Sequence, residues 1–188
     1  KVYSIDSFNR NIQLLISTKQ GQMKQFNLID LEVTRYNRPL RAMKLTDGDQ
    51  VVSVDMNQQE NIIALSKNGY ALRFETSELP LYGLTAGGVK SIALNEDDEL
   101  AYAFYAKTTD EFYMLTSRGH VIKDLVGEIP KYARNRRGII IIEKQKKDPH
   151  FIVGASRLSK QQIKEDVKTR LLSSKDMLLL NVSELKYV

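Results

Sequence analysis

The chain has 188 residues, of which 42% are hydrophobic and 27% are charged, an ordinary globular composition that can build a core. The absence of cysteine excludes disulfides and thiolate metal sites, and no apolar run approaches the roughly 20 residues that span a membrane or resembles a signal peptide. The formal net charge of +5 favours an anionic partner, and the chain is predicted to be intracellular.

One pattern occurs three times at a period of about fifty residues, which indicates a copied supersecondary unit. Residues 1–11 match the end of a unit, because Lys1–Asp6 aligns with Gln50–Asp55. The three complete units are residues 12–60, 61–110 and 111–158. We therefore predict one domain over residues 1–188, a fragment that starts in the middle of a unit.

Each unit begins with an apolar run that ends in a glycine turn. The turns are Ser17–Gly21, Leu65–Gly69 and Thr116–Gly119. Alternating segments follow in the first two units, at Gln22–Phe26 and Tyr70–Phe74. Period-two alternation across such a turn predicts a β-hairpin.

Two more strands complete the predicted unit. A third strand is expected at Leu40–Leu45, Val89–Leu94 and Ile139–Ile142, and a fourth begins at Val51 and Leu100 after an acidic turn. Four short antiparallel strands per unit predict an all-β, propeller-like array of four-stranded blades. No unit has a sustained helical period, which excludes helix-pair solenoids. The absence of tryptophan argues against the shorter WD40 repeat.

The C-terminal part, residues 159–188, departs from the repeat. Ser159–Gln162 resembles a capping box, and Ile163, Val167 and Leu171 share one helical stripe, which predicts a short helix. Met177–Val182 resembles the strand that opens each unit and is expected to close the array.

The sequence contains no catalytic constellation, and we predict no metal and no cofactor. His120 and His150 lie apart, without partners at ligand spacing. The acidic segments Asp47–Asp49 and Glu96–Glu99 recur at one point of the unit, so we interpret them as turns rather than cation sites. Gly83–Ser91 approaches a nucleotide-phosphate loop but lacks the required lysine and the following helix. We expect its glycines to allow a tight turn or the close approach of another backbone.

Basic residues recur in the loop before the third strand and in the hairpin turns. Equivalent loops of repeated blades lie along one rim, and a row of cations suits a phosphate backbone. The alternative is that these basic residues are ordinary solvent-exposed loop side chains without a binding role. The candidate nucleic-acid-binding residues are Lys19, Arg35, Arg38, Arg41, Lys67, Lys90, Arg118, Lys131, Arg134, Arg136 and Arg137.

These repeats, with their glycine turns, basic loops and acidic turns, resemble the C-terminal domain of type IIA topoisomerase A subunits. Gly83–Ile92 is especially similar to the A subunits of bacterial topoisomerase IV. The resemblance covers nearly the whole chain except the stretch around Ser159–Leu172. It implies a β-pinwheel, whose blades exchange strands, and a rim that binds and bends duplex DNA.

The resemblance also implies the context of the parent enzyme. That enzyme is ATP-dependent and acts in decatenation, relaxation and chromosome segregation at the nucleoid in the bacterial cytoplasm, so a cytoplasmic location is expected for this chain. Its other parts would be the N-terminal cleavage domain of the same polypeptide, which carries the cleavage tyrosine, and the ATPase subunit. The fragment itself is expected to be non-catalytic.

Gyrase A subunits carry a Gln-Arg/Lys-Arg-Gly-Gly-Arg/Lys-Gly box that drives full DNA wrapping, and this sequence has no copy. The first and third units carry arginines in the corresponding loop, whereas the second has Gly87, Gly88 and Lys90. This unevenness favours moderate bending. The alternatives are a gyrase wrapping domain or a propeller-like protein-interaction module whose charged rim meets an acidic protein.

Overall fold

The computed structural model describes residue 5 and residues 7–32, 39–56, 58–142 and 150–158. These residues form three antiparallel sheets, here called blades 1, 2 and 3. The described part contains no helix that is both long and apolar enough to cross a membrane. The predicted C-terminal helix and the strand at Met177–Val182 lie outside the described residues.

Each blade is a small sheet built around one hairpin. The strand order is β3-β1-β2-β6 in blade 1, β7-β4-β5-β10 in blade 2, and β11-β8-β9 in blade 3. The strands are β1 (Gln13–Thr18), β2 (Gln22–Asn27), β3 (Val51–Asp55), β4 (Asn61–Ser66), β5 (Tyr70–Glu75), β6 (Val89–Lys90), β7 (Leu100–Ala106), β8 (Glu111–Thr116), β9 (Val121–Leu125), β10 (Ile139–Ile140) and β11 (Ile152–Leu158).

Blades 1 and 2 each take their outer strand from the following unit. Strand β6 pairs with β2, with Lys90 opposite Gln22, and β10 pairs with β5, with Ile140 opposite Tyr70. The other three strands of each blade belong to one unit. This exchange confirms the predicted all-β pinwheel.

The prediction of a third strand was wrong in the first unit and too long in the others. Leu40–Leu45 contains no strand, and the counterparts β6 and β10 have two residues each. Strands β6 and β10 form where they meet the hairpin of the preceding unit. The described residues contain no earlier hairpin on which Leu40–Leu45 could pair.

The cores lie between successive blades. In β4, Ile62 and Ala64 join one cluster with residues of blade 1, whereas Ile63 and Leu65 join a second cluster with residues of blade 3. Every residue of β4 is therefore buried, because both faces of a central blade are covered. This explains why the strand reads as a continuous apolar run.

The acidic turns brace the hairpins. The Asp49 carboxylate accepts the backbone N–H groups of Gln20 and Gln50, at 3.0 and 2.8 Å. Asp98 does the same in the next blade for Asn68 and Glu99. Among the described residues, no group of His, Cys, Asp and Glu side chains could hold a metal ion. Through their hydrogen bonds to backbone N–H groups, Asp49 and Asp98 hold these turns, as the recurrence of the acidic segments indicated.

Glycines mark the points where an exchanged segment crosses the preceding hairpin. A Cβ at Gly88 would lie 2.8 Å from the Met23 carbonyl oxygen, and one at Gly138 would lie 2.0 Å from that of Ala71. No side chain fits in such gaps, so the prediction of close backbone approach at Gly88 is confirmed.

Candidate nucleic-acid interface

The loops that carry the exchanged strands form a row, which we call the rim. Rim loops 1, 2 and 3 are residues 39–45, 83–93 and 133–142. The Lys44 N–H donates to the Ala86 carbonyl at 3.2 Å, and the Ala93 N–H donates to the Arg136 carbonyl at 3.0 Å. Each described rim loop therefore contacts the next.

Rim loop 3 carries the densest positive charge and is firmly anchored. The Arg134 guanidinium donates to the Lys90 carbonyl at 2.6 Å, and the Arg134 N–H donates to the Glu78 carboxylate at 2.8 Å. Arg136 and Arg137 are exposed, and the Arg137 guanidinium carbon lies 5.6 Å from the centre of the Tyr70 ring, within cation–π range. The loop thus presents two arginines from a fixed backbone.

Rim loop 2 carries less surface charge than rim loop 3, but a buried lysine of β2 lies beneath it. Lys24, in β2, is fully buried. Its ammonium donates to the carbonyls of Ala42 and Leu84 at 2.8 Å and to that of Ala86 at 3.2 Å. Burial lowers the pKa of Lys24, and the Asp30 carboxylate partly opposes this effect. The first and second rim loops are therefore joined through one ammonium group.

The cations of the first two hairpin turns share one carboxylate. The ammonium of Lys19 lies 2.9 Å and that of Lys67 3.5 Å from the oxygens of Glu99. The hydrogen bond from Lys19 is the main cause that lowers the pKa of Glu99. Both lysines are thus partly neutralised by a residue far away in sequence.

Lys131 is neutralised in a similar way. Its ammonium forms a hydrogen-bonded ion pair with Glu75 and thereby lowers the pKa of that carboxyl group. Its backbone also bridges β5 at Arg73. The Lys131 charge is therefore committed to a contact within the protein.

The structure sorts the predicted site residues into groups. The rim loops hold Arg41, Lys90, Arg134, Arg136 and Arg137. Lys19 and Lys67 meet at Glu99, and Lys131 meets Glu75. Arg118 is half-buried in the turn between β8 and β9. Arg35 and Arg38 lie outside the described residues.

Lys24, which is buried beneath this surface, was not among the residues predicted from the sequence. The signal was present, because Lys24 occupies the position that Leu72 and Ile122 hold in the next two units. A lysine at an apolar position of a repeat indicates either exposure or a buried polar partner.

The strand exchange and the repeated rim loops define the chain as a β-pinwheel. Residues 13–57, 60–107 and 110–159 each match the model of the DNA gyrase C-terminal domain, beta-propeller. The chain belongs to the DNA gyrase C-terminal domain family.

Curated relatives are A subunits of DNA topoisomerase 4. One from Streptococcus pyogenes is 36% identical over 80% of this chain and 19% of its own length. One from Bacillus subtilis is 32% identical over 81% of this chain and 19% of its own length. The chain thus spans about one-fifth of these relatives.

Solved structures agree with this similarity. The crystal structure of the C-terminal domain of DNA topoisomerase IV has a TM-score of 0.75 and 32% identity, over 82% of this chain and 49% of that one. The E. coli ParC C-terminal domain, at a TM-score of 0.58 and 15% identity over 84% of this chain and 73% of that one, shares the fold alone.

Proposed function

We propose that this chain binds duplex DNA without base specificity and bends it along the rim. The observation that carries the proposal is the hydrogen bonding between successive rim loops, which carry the exposed residues Arg41, Lys90, Arg136 and Arg137. Arginines and lysines in a row release counterions from a phosphate backbone whatever its sequence. Bending a 20–30 bp site costs on the order of 1–6 kcal/mol, which such contacts offset.

The similarity to topoisomerase 4 A subunits supports a place for this chain in a bacterial type IIA topoisomerase. There the rim would help select DNA crossings for ATP-dependent strand passage in decatenation and relaxation. The remaining parts would be the N-terminal cleavage domain of the same polypeptide and a separate ATPase subunit, at the nucleoid in the cytoplasm. Because no gyrase box occurs in the sequence, we propose bending rather than full wrapping.

Replacing Arg134, Arg136 and Arg137 together by alanine is expected to weaken duplex binding and flatten its salt dependence. The slope of log K against log salt should fall by about 0.9 for each phosphate that is no longer neutralised. Fluorescence titrations at several salt concentrations, with two duplexes of equal length and different sequence, measure both effects. The same experiment on the double variant R136A/R137A separates rim charge from the anchoring hydrogen bonds of Arg134.

Lys131→Ala is the matched control, because Glu75 already neutralises that cation. It should change the slope less than Arg136→Ala does. An unchanged affinity and slope in the triple variant, with the fold intact by circular dichroism, would reject the proposal. Equally strong competition by an acidic protein would favour the interaction module.

Glu99→Gln is expected to tighten DNA binding at low salt about twofold to threefold and to steepen its salt dependence, because it releases Lys19 and Lys67. The control is Glu96→Gln, which makes the same charge change at an exposed residue of the same turn. Stability should change by less than about 1 kcal/mol, since the pairs are surface-exposed. Equal tightening by both variants would mean that only net charge matters.

A further inference from the structure

The second rim loop shows how a segment with little surface charge can still contact DNA. The Lys24 ammonium donates to the carbonyls of Leu84 and Ala86 and so holds both oxygens on the inner side of the loop. The described peptide bonds are all trans. In a planar trans peptide the N–H of one residue points opposite to the C=O of the residue before it. The N–H groups of Thr85 and Gly87 therefore point away from Lys24.

Both N–H groups belong to residues that reach the protein surface. Thr85 is exposed and Gly87 partly exposed. Within the described part of the chain, neither N–H donates a hydrogen bond, whereas the intervening Ala86 N–H closes the turn onto Gly83. Gly87 has no side chain that could cover its own N–H. Closely spaced N–H groups that face outward form an anion-binding concavity.

We infer that Thr85 and Gly87 bind one DNA backbone phosphate through their N–H groups, in a loop conformation set by the buried Lys24. The inference rests on the proposed DNA-binding function and supplies the contact between Arg41 and the arginines of rim loop 3. The site differs from a nucleotide-phosphate loop, since no helix follows and its lysine lies behind the backbone. Leu72, the counterpart of Lys24, provides no such ammonium behind rim loop 3.

The test is a ¹H–¹⁵N NMR titration of the 188-residue chain with a DNA duplex that spans the rim. The amide protons of Thr85 and Gly87 should move downfield, while the Ala86 amide, already bonded to Gly83, should move less. In Lys24→Met the DNA-induced shifts of the Thr85 and Gly87 amide protons should disappear, while DNA should still shift the amide protons of Arg136 and Arg137. Leu72→Met, the matched control, should leave all four unchanged.

A second pair of variants keeps the test independent of folding. Thr85→Glu should weaken binding about fivefold at low salt, as expected for a like charge near the phosphate, and Thr85→Gln should have little effect. Thr109→Glu, at an exposed turn between β7 and β8, controls for net charge. DNA binding with unmoved Thr85 and Gly87 amides, or equal effects of Thr85→Glu and Thr109→Glu, overturns this inference alone. No binding by any variant or by the unsubstituted chain overturns the proposed function as well.

Discussion

Gly138→Ala is expected to unfold the junction between blades 2 and 3, with a loss of more than about 4 kcal/mol in the free energy of unfolding. Two causes act together. Gly138 has a φ of +82°, where an L-residue costs about 1–2 kcal/mol. The added Cβ would also lie 2.0 Å from the oxygen and 2.5 Å from the carbon of the Ala71 carbonyl. Both are backbone atoms of β5, which is buried between two blades and cannot move aside.

Gly48→Ala separates the two causes. Gly48 has a similar φ of +73°, but a Cβ there would meet nothing within 4 Å. It should therefore lose only the conformational cost of about 1–2 kcal/mol. Urea unfolding of both variants, followed by circular dichroism, measures the difference. Equal losses would show that the close approach of the exchanged strand to Ala71 does not matter for stability.

Lys24→Met is expected to cost about 2–4 kcal/mol in the free energy of unfolding. The change keeps most of the side-chain volume but removes the ammonium that donates to the partly buried carbonyls of Ala42, Leu84 and Ala86. Among the described residues, the Ala86 carbonyl then keeps only the Lys44 N–H as a donor. An unsatisfied buried polar group costs about 1–3 kcal/mol, and removing a buried charge returns part of this.

The equivalent change in the next unit, Leu72→Met, replaces one apolar side chain by another and should cost less than about 1.5 kcal/mol. Urea titrations of both variants provide the comparison. If the two losses were equal, the three hydrogen bonds of Lys24 would not contribute to stability.

Much of the fold could be predicted because its determinants are local. Glycine turns followed by alternating residues indicated the hairpins, and the recurrence of the acidic segments around Asp49 and Asp98 indicated turns. The length of the third strand could not be predicted, since it depends on a hairpin in another unit. Val89 and Lys90 form a strand only where they pair with β2 of the preceding unit. The sequence of a single unit does not show how many of its residues will reach that neighbouring strand.

The basic residues likewise fall into those whose surroundings could be predicted from the local sequence and those whose surroundings depend on other units. Exposure of Arg136 and Arg137 follows from their place in a basic loop. The shared ion pair of Lys19 and Lys67 with Glu99 does not, because it brings Lys19 of blade 1 to a carboxylate of blade 2. Met23–Phe26 of β2 are all buried between neighbouring blades, although period-two alternation is typical of a strand with one exposed face. Long-range packing thus decides which cations remain free.

The exchange of β6 and β10 has a consequence for the order of folding during synthesis. The outer edge of blade 1 stays open until residue 90 has left the ribosome, and that of blade 2 until residue 140. Each blade is therefore completed only after the hairpin and rim loop of the following unit have been synthesised. Until then its exposed strand edge can pair with another chain. We expect the blades to be completed in order from the N-terminal side, each one while the following unit is being translated.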